Sequence, residues 1–196
     1  MKIILASQSP RRHEILQFLK IPFTVHSSNF NEDEIAFTGC PISFVNKQSI
    51  CKGQMVQMLY PKDVIISADT TVYFRNQLFQ KPTSHQQAFE YIQTLCGNSH
   101  SVFTSISVLR EERVLTLSEE TKVTFRDLQE DQIHKYIEMV HSLDKAGGYA
   151  IQGIGSLLVS KIEGCYYNVM GLPVQTLVKL LKEVDIDVWN FSNDIY

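Results

Sequence analysis

The chain has 196 residues, 44% of them hydrophobic, enough to bury a substantial core, and reads most simply as one domain with two lobes around a cleft. Its 18 lysines and arginines against 21 aspartates and glutamates leave a net charge of -3, which excludes binding of a nucleic-acid polymer by bulk electrostatics but not binding of a small nucleotide. The four cysteines, Cys40, Cys51, Cys96 and Cys165, form no Cys-x-x-Cys pair, so neither a zinc ribbon nor a disulfide framework is suggested; reduced, buried thiols in a cytoplasmic protein are expected. One lysine followed by four apolar residues is too short for a signal peptide, and no apolar run reaches membrane-spanning length, so no membrane association is expected.

Residues 2–6 predict a short buried strand, and Ile15, Leu16 and Leu19 fall at helical spacing over 11–19. Ser9 then stands at the N-cap, with Pro10 at the first helical position. Ser7, Ser9, Arg11 and Arg12 thus place two hydroxyls and two guanidiniums at a strand-to-helix turn. A phosphate there meets backbone N–H groups, the positive end of the helix dipole and two fixed cations. An ordinary capped helix with solvated arginines is the alternative from this segment alone.

A strand is predicted over 23–27, followed by a loop over 28–41 containing Glu32-Asp33-Glu34; loops of that length are often functional. Pro41 opens a helix to about 59 that carries Lys52. The apolar run 64–68 predicts a buried strand with Asp69-Thr70-Thr71 at its carboxyl end, and a second short strand runs through 74. After a turn at 75–77 come Lys81-Pro82 and a helix over 84–96 with Gly97 as C-cap. Segments 100–109 and 114–126 alternate like strands joined by the charged turn 111–113. A helix over 129–141, a glycine-rich stretch, two short strands over 157–162, a helix over 173–184 and a peripheral tail over 185–196 complete an α/β pattern.

In open α/β sheets ligands bind beyond the carboxyl ends of the strands, so Asp69 stands where a carboxylate reaches substrate. It can bind a divalent metal, orient water or accept a proton, and a metal that acidifies water strengthens an otherwise weak base. Capping a turn or bonding Thr71 is the alternative. Lys52 and Lys81, the latter held extended before Pro82, supply point charges for a triphosphate if they converge with Arg11, Arg12 and Asp69; taken singly, each reads as a solvated lysine. The glycine-rich residues 146–155 lack the third glycine of a dinucleotide fingerprint, and the chain has no P-loop motif. They read as a tight turn near a ligand with the Gln152 amide able to read a base edge, or as a bend with an exposed glutamine. His13, His26, His85, His134 and His141 read as surface or packing residues, His100 as structural, and Tyr166 and Tyr167 as core packing, with the lining of a base pocket as the alternative.

Several blocks now stand in order over nearly the whole chain: Ser7-x-Ser9-Pro10-Arg11-Arg12, Ala68-Asp69-Thr70-x-Val72, Lys81-Pro82, Leu95-x-Gly97-x-x-His100-x-Val102-x-Thr104, Lys145-Ala146-Gly147-x-Tyr149-x-Ile151-Gln152-Gly153, and Ile162-Glu163-Gly164-x-Tyr166-x-Asn168-Val169-x-Gly171-Leu172-Pro173. Together they resemble the Maf-like nucleoside triphosphate pyrophosphatases, also called septum formation proteins. The resemblance implies a Maf/inosine-triphosphatase-like α/β domain over 1–196, with a twisted mixed sheet and flanking helices. By it, Asp69 matches the proton acceptor, and Ser7, Arg11, Arg12, Lys52 and Lys81 match phosphate-facing residues. Glu32 matches an acid that holds the metal with Asp69, a position shared in sequence with Asp33 and Glu34.

The Lys-Ala-Gly-x-Tyr-x-Ile-Gln-Gly block looks like the subgroup acting on dTTP and UTP, whereas the 7-methyl-GTP subgroup carries a Ser-Glu-Gly type sequence there. Arg12, Thr70 and Gln152 match the positions tied to that choice. Two departures stand out: Thr71, where a bulkier apolar residue is frequent, and Lys52-Gly53, where Lys-Ala is usual. The resemblance implies hydrolysis of dTTP, UTP and modified pyrimidine triphosphates to the monophosphate and pyrophosphate, with Mg, Mn or Co, and a homodimer fits the family. A 7-methyl-GTP pyrophosphatase and a nucleotide-binding cell-division regulator with little catalysis are the alternatives.

Overall fold

The structure is a computed structural model that describes residues 1–191; residues 192–196, the end of the tail expected to be peripheral, lie outside the described residues. The elements follow in the order β1 (Ile3–Leu5), α1 (Pro10–Phe18), β2 (Thr24–Val25), α2 (Pro41–Gln57), β3 (Val64–Phe74), β4 (Gln77–Phe79), α3 (His85–Leu95), β5 (Ser99–Arg110), β6 (Arg113–Phe125), α4 (Glu130–Met139), β7 (Val159–Glu163), α5 (Tyr166–Met170) and α6 (Val174–Lys182). The strands form one mixed sheet in the order β2-β1-β3-β5-β6-β7, with β4 paired to β3. Parallel pairing joins β1 to β2 and β3, with Leu5 opposite Val25 and Ile66. Antiparallel pairing joins β3 to β4 and β6 to β7. The predicted α/β class is therefore the observed one.

One difference bears directly on the site. The two strands expected on either side of Asp69 are a single strand of 11 residues, so Asp69 lies inside β3 rather than beyond its carboxyl end. Asp69-Thr70-Thr71 contains no glycine or proline, and the β-branched residues Thr70, Thr71 and Val72 carry extended backbone onward until Val72 pairs with Phe79. The chain turns only at Arg75 and Asn76, whose φ values of 48° and 64° suit a two-residue hairpin.

Three smaller differences have separate causes. The two strands expected over 157–162 are one, because Gly153–Leu157 winds into a 3-10 turn. The helix α5 was not anticipated: its Asn168 amide donates to the Val102 carbonyl and the Thr121 hydroxyl, so distant partners organise it. Tyr166 on that helix is exposed while Asn168 and Met170 face inward, against the expectation of core packing.

The chain divides into two compact units. The first comprises Met1–Asp69, Thr104–Glu119 and the described residues from Gly171 on. Here Ile4, Ala6, Val56, Ile65 and Leu109 pack together and seat α2. The second comprises Thr70–Phe103 and Glu120–Met170. Its core joins Ile92 and Leu95 of α3, Ile133 and Tyr136 of α4, and the ring of Phe125. All four cysteines are free thiols and none is buried, against expectation: Cys51, Cys96 and Cys165 are half-buried, and Cys40 is exposed because it sits in the loop immediately before Pro41 opens α2. No helix among the described residues is long and apolar enough to cross a membrane.

Candidate active site

The turn from β1 into α1 is built differently from an ordinary cap. Ser9 occupies the N-cap position, yet its hydroxyl makes no capping bond. The Ser7 hydroxyl instead accepts from the Ser9 N–H at 3.2 Å and from Arg12 Nη1 at 3.1 Å. Arg12 Nε donates to the Gly171 carbonyl at 2.8 Å, so its guanidinium is held from two directions. His13 Nε2 lies 2.8 Å from the Ser7 carbonyl, which can only accept, so the ring donates and braces the same turn. Burial lowers the Arg12 pKa to about 10, a shift opposed by the nearby Asp69 charge and reinforced by Arg11; the guanidinium remains cationic at neutral pH. Arg11 and Ser9 are partly buried beside it.

The helix α2 supplies the second component. Gln48, Ser49, Lys52, Gly53 and Val56 lie at helical spacing and form its buried face. Lys52 and Asp69 are only 8% and 7% exposed, and Lys52 Nζ reaches Asp69 Oδ1 at 2.6 Å and Glu32 Oε1 at 2.9 Å. Three residues distant in sequence thus meet at one ammonium. Glu32 opens a 3-10 turn over Glu32–Glu34, where the Asn31 side chain caps the Asp33 N–H. Of the three adjacent acids, Glu32 is the one whose carboxylate pairs with Lys52, while Asp33 and Glu34 are exposed. The alternative partner for Asp69 is not found: the Thr71 hydroxyl is buried without a hydrogen bond among the described residues.

Close approach explains Gly53. A Cβ there would stand 2.4 Å from Leu109 Cδ1 and 2.7 Å from the Ser67 hydroxyl, so α2 could not keep its seat on β3 and β5 with an alanine and these neighbours unmoved. The Ser67 hydroxyl donates to the Ser49 carbonyl at 2.7 Å, and the Ser49 hydroxyl meets those of Ser105 and Ser107 at 2.9 and 2.8 Å. These bonds fix the rotation of α2, and hence the direction of Lys52. The sequence reading missed Gln48, Ser49 and His13 as contributors; the available signal was polar residues on the otherwise buried stripe of α2.

The remaining sequence candidates belong to the second unit. Lys81 is exposed, whereas Thr70 and Gln152 are partly buried. The Gly147 N–H donates to the Gln80 carbonyl at 3.0 Å, which ties the glycine-rich turn to the residue before Lys81. Gln152 precedes the 3-10 turn Gly153–Leu157, and a Cβ on Gly155 would lie 1.8 Å from the Ala150 carbonyl oxygen, so this turn requires glycine. The turn is anchored by Tyr149, whose hydroxyl lies 2.7 Å from His100 Nε2, and by the Tyr136 hydroxyl, which accepts from the Ala150 N–H at 3.1 Å. Burial pushes the His100 pKa down to about 4, so His100 is neutral and structural, as expected from sequence.

The donor set also tests the expected metal. Asp69 and Glu32 offer two carboxylates, and no group of three or more His, Cys, Asp or Glu residues suited to a metal occurs among the described residues. Two hard oxygen donors fit a magnesium-type ion, which keeps the rest of its shell for water and substrate phosphates, and do not fit a zinc-type cage.

Comparison with known proteins identifies the family. The family model described as Maf-like protein matches residues 2–184. The chain is 41% identical over 191 residues to a protein of Chlamydia felis named dTTP/UTP pyrophosphatase, covering 97% of each chain. A Clostridium perfringens protein of the same name is 41% identical, covering 96% of this chain and all of the relative. A Chlamydia muridarum protein named nucleoside triphosphate pyrophosphatase is 37% identical over 97% of each. The solved structure of the Staphylococcus aureus Ham1 protein aligns with a TM-score of 0.46 at 13% identity over 65% of this chain and 73% of that one, too distant a likeness to carry an argument. A family match over residues 2–184, with relatives 37–41% identical over almost the full length, places this chain in the Maf-like family.

Proposed function

We propose that this chain hydrolyses dTTP and UTP, and pyrimidine triphosphates modified on the base, to the nucleoside monophosphate and pyrophosphate by attack of water on the α-phosphorus. The observation that carries this reading is the Lys52 ammonium held between the Asp69 and Glu32 carboxylates, in a chain 41% identical to proteins named for that activity. The buried Lys52 and Asp69 ion pair is costly to maintain for stability alone, and such pairs are common where charge must be handled.

The residues divide the work. Arg12, oriented by Ser7 and the Gly171 carbonyl, grips phosphate oxygens together with Arg11, Lys52, the Ser7 and Ser9 hydroxyls and Lys81. Cations already in place stabilise charge as it develops on the phosphoryl oxygens without reorganising. Asp69 accepts the proton of the attacking water, and Lys52 keeps the Asp69 and Glu32 carboxylates in register with each other. Asp69 and Glu32 are the residues that would hold a divalent cation, Mg, Mn or Co, which when bound neutralises phosphate charge and acidifies water. Arg12, Thr70 and Gln152 read the base, and the Gln152 amide can both donate to and accept from a pyrimidine edge. The substrate is a free nucleotide in the cytoplasm rather than a polymer, in keeping with the net charge of -3.

A substrate panel tests the reading. Purified protein with Mg or Mn should release pyrophosphate from UTP and dTTP much faster than from 7-methyl-GTP. Faster turnover of 7-methyl-GTP would reassign the base specificity. Release from none of the three would favour a nucleotide-binding regulator and overturn the enzymatic reading.

A further inference from the structure

Gln48 is a buried polar side chain of α2 to which the reaction described above gives no role. It is 1% exposed and lies one helical turn before Lys52, on the face that α2 turns inward. Glutamine is mostly a surface residue, and an apolar side chain would fill such a position at lower desolvation cost. Its Nε2 donates to the main-chain carbonyl of Glu32 at 2.7 Å. That carbonyl can only accept, which fixes the orientation of the amide and leaves Gln48 Oε1 as a buried acceptor without a partner among the described residues. A buried glutamine with half its amide unsatisfied is a poor device for stability.

Its geometry suits a different task. Glu32 lies on an exposed turn in the long segment between β2 and α2, with its side chain 44% exposed. Lys52 takes hold of the Glu32 carboxylate and Gln48 takes hold of the Glu32 main chain, from positions four residues apart on one helix. An ion pair alone would let an exposed side chain swing about its attachment; two points of contact fix both the place and the direction of the carboxylate. Further along the same segment, the Phe37 ring packs edge-on against Phe44 of α2 at 5.9 Å, so the helix organises the segment at more than one position.

We propose that Gln48 is a positioning residue for the hydrolysis: it acts through Glu32, locking the acidic turn onto α2 so that the Glu32 carboxylate stays on Lys52 beside Asp69. This rests on the pyrophosphatase reading of the same cluster. The donor is essential and the orphaned acceptor is its cost, so Gln48→Met keeps the shape of the side chain and removes only the tie, whereas Gln48→Glu removes the donor and adds a charge.

The test is a double-mutant cycle of Gln48→Met and Glu32→Gln on the full chain, with three readouts. First, kcat for UTP in Gln48→Met should fall about tenfold with a smaller change in KM, and the double variant should be no slower than Glu32→Gln alone. Second, the Tm of Gln48→Met should be unchanged or higher, since a buried unsatisfied group has gone. Third, backbone amides over 31–35 should exchange faster in Gln48→Met without nucleotide present. A fall in kcat matched by a fall in Tm, or multiplicative losses in the double variant, would assign Gln48 to packing and overturn the proposal. Gln48→Glu should resemble Gln48→Met or be slower; wild-type turnover in Gln48→Glu would also overturn it. If the wild-type protein releases no pyrophosphate from any triphosphate, the pyrophosphatase reading is what fails, and unchanged exchange over 31–35 would separately refute the tie.

Discussion

Lys52 and Asp69 in the first unit and His100 and Tyr149 in the second are both buried polar pairs at hydrogen-bond distance, yet they carry opposite electrical designs. The first pair is ionic, 2.6 Å apart, with a second carboxylate, Glu32, on the same ammonium. The second is neutral, 2.7 Å apart, and enclosed by the Phe125 ring, which lies edge-on to both. Burial lowers the His100 pKa to about 4 and raises that of Tyr149 above the usual phenol range, so neither group ionises near neutral pH. A neutral buried pair holds the Gln152 turn with no charge to desolvate. An ionic one is maintained against desolvation, which is the design expected where the proposed hydrolysis must handle phosphate charge.

The largest expected effect falls on the ionic pair. Lys52→Met leaves two carboxylates facing each other without their cation, and kcat for UTP should drop by about 10²- to 10³-fold, measured by pyrophosphate release. A loss below threefold would make Lys52 a structural residue and erase the contrast between the pairs.

Next comes the pH response of the neutral pair. His100 is 2% exposed, and its pKa is lowered from 6.5 to about 4 on folding. The unfolded chain therefore takes up this proton before the folded one does, so the contribution is complete above pH 6.5 and is lost as pH falls towards 4. The loss is about 3 kcal/mol, seen as the difference in urea-unfolding free energy between the wild type and His100→Asn across that window. Parallel curves for the two proteins would mean that His100 is not held neutral.

A smaller effect sharpens the seat of the ionic pair. Gly53→Ala should cost about 1–3 kcal/mol in unfolding free energy through overpacking against Leu109 and Ser67, and the added Ser67→Ala should recover part of it. The smallest sets the scale for charges outside both pairs. The exposed Lys135 and Asp131 pair on α4, 3.2 Å apart, should contribute about 0.5 kcal/mol or less, so Asp131→Ala should barely move the Tm.

Where periodicity or turn chemistry governed the outcome, the elements were legible in the sequence. The helix opened by Pro10, the long helix opened by Pro41 and the helix expected to begin at Ser84, whose hydroxyl accepts from the Gln87 N–H, all follow from local rules. Asp69 was placed one step wrongly, since polar Asp-Thr-Thr resembles the end of a strand although nothing in it breaks one. The α5 helix escaped because its organising partners, Val102 and Thr121, lie far away in sequence. At the site, Lys52, Asp69 and Glu32 were each named, and their meeting at one ammonium is a tertiary fact with no local trace. Gln48 was passed over because a glutamine on a helix reads as solvated unless the burial of its neighbours is known.

Asp69→Asn measures the central claim most directly. The substitution keeps the shape of the side chain and removes its ability to take a proton from water. On one preparation, kcat for UTP should fall by about 10³-fold or more, while the dissociation constant of a non-hydrolysable UTP analogue changes by less than about threefold. Turnover within tenfold of wild type, or a loss of binding as large as the loss of turnover, would contradict Asp69 as the proton acceptor of a triphosphate pyrophosphatase.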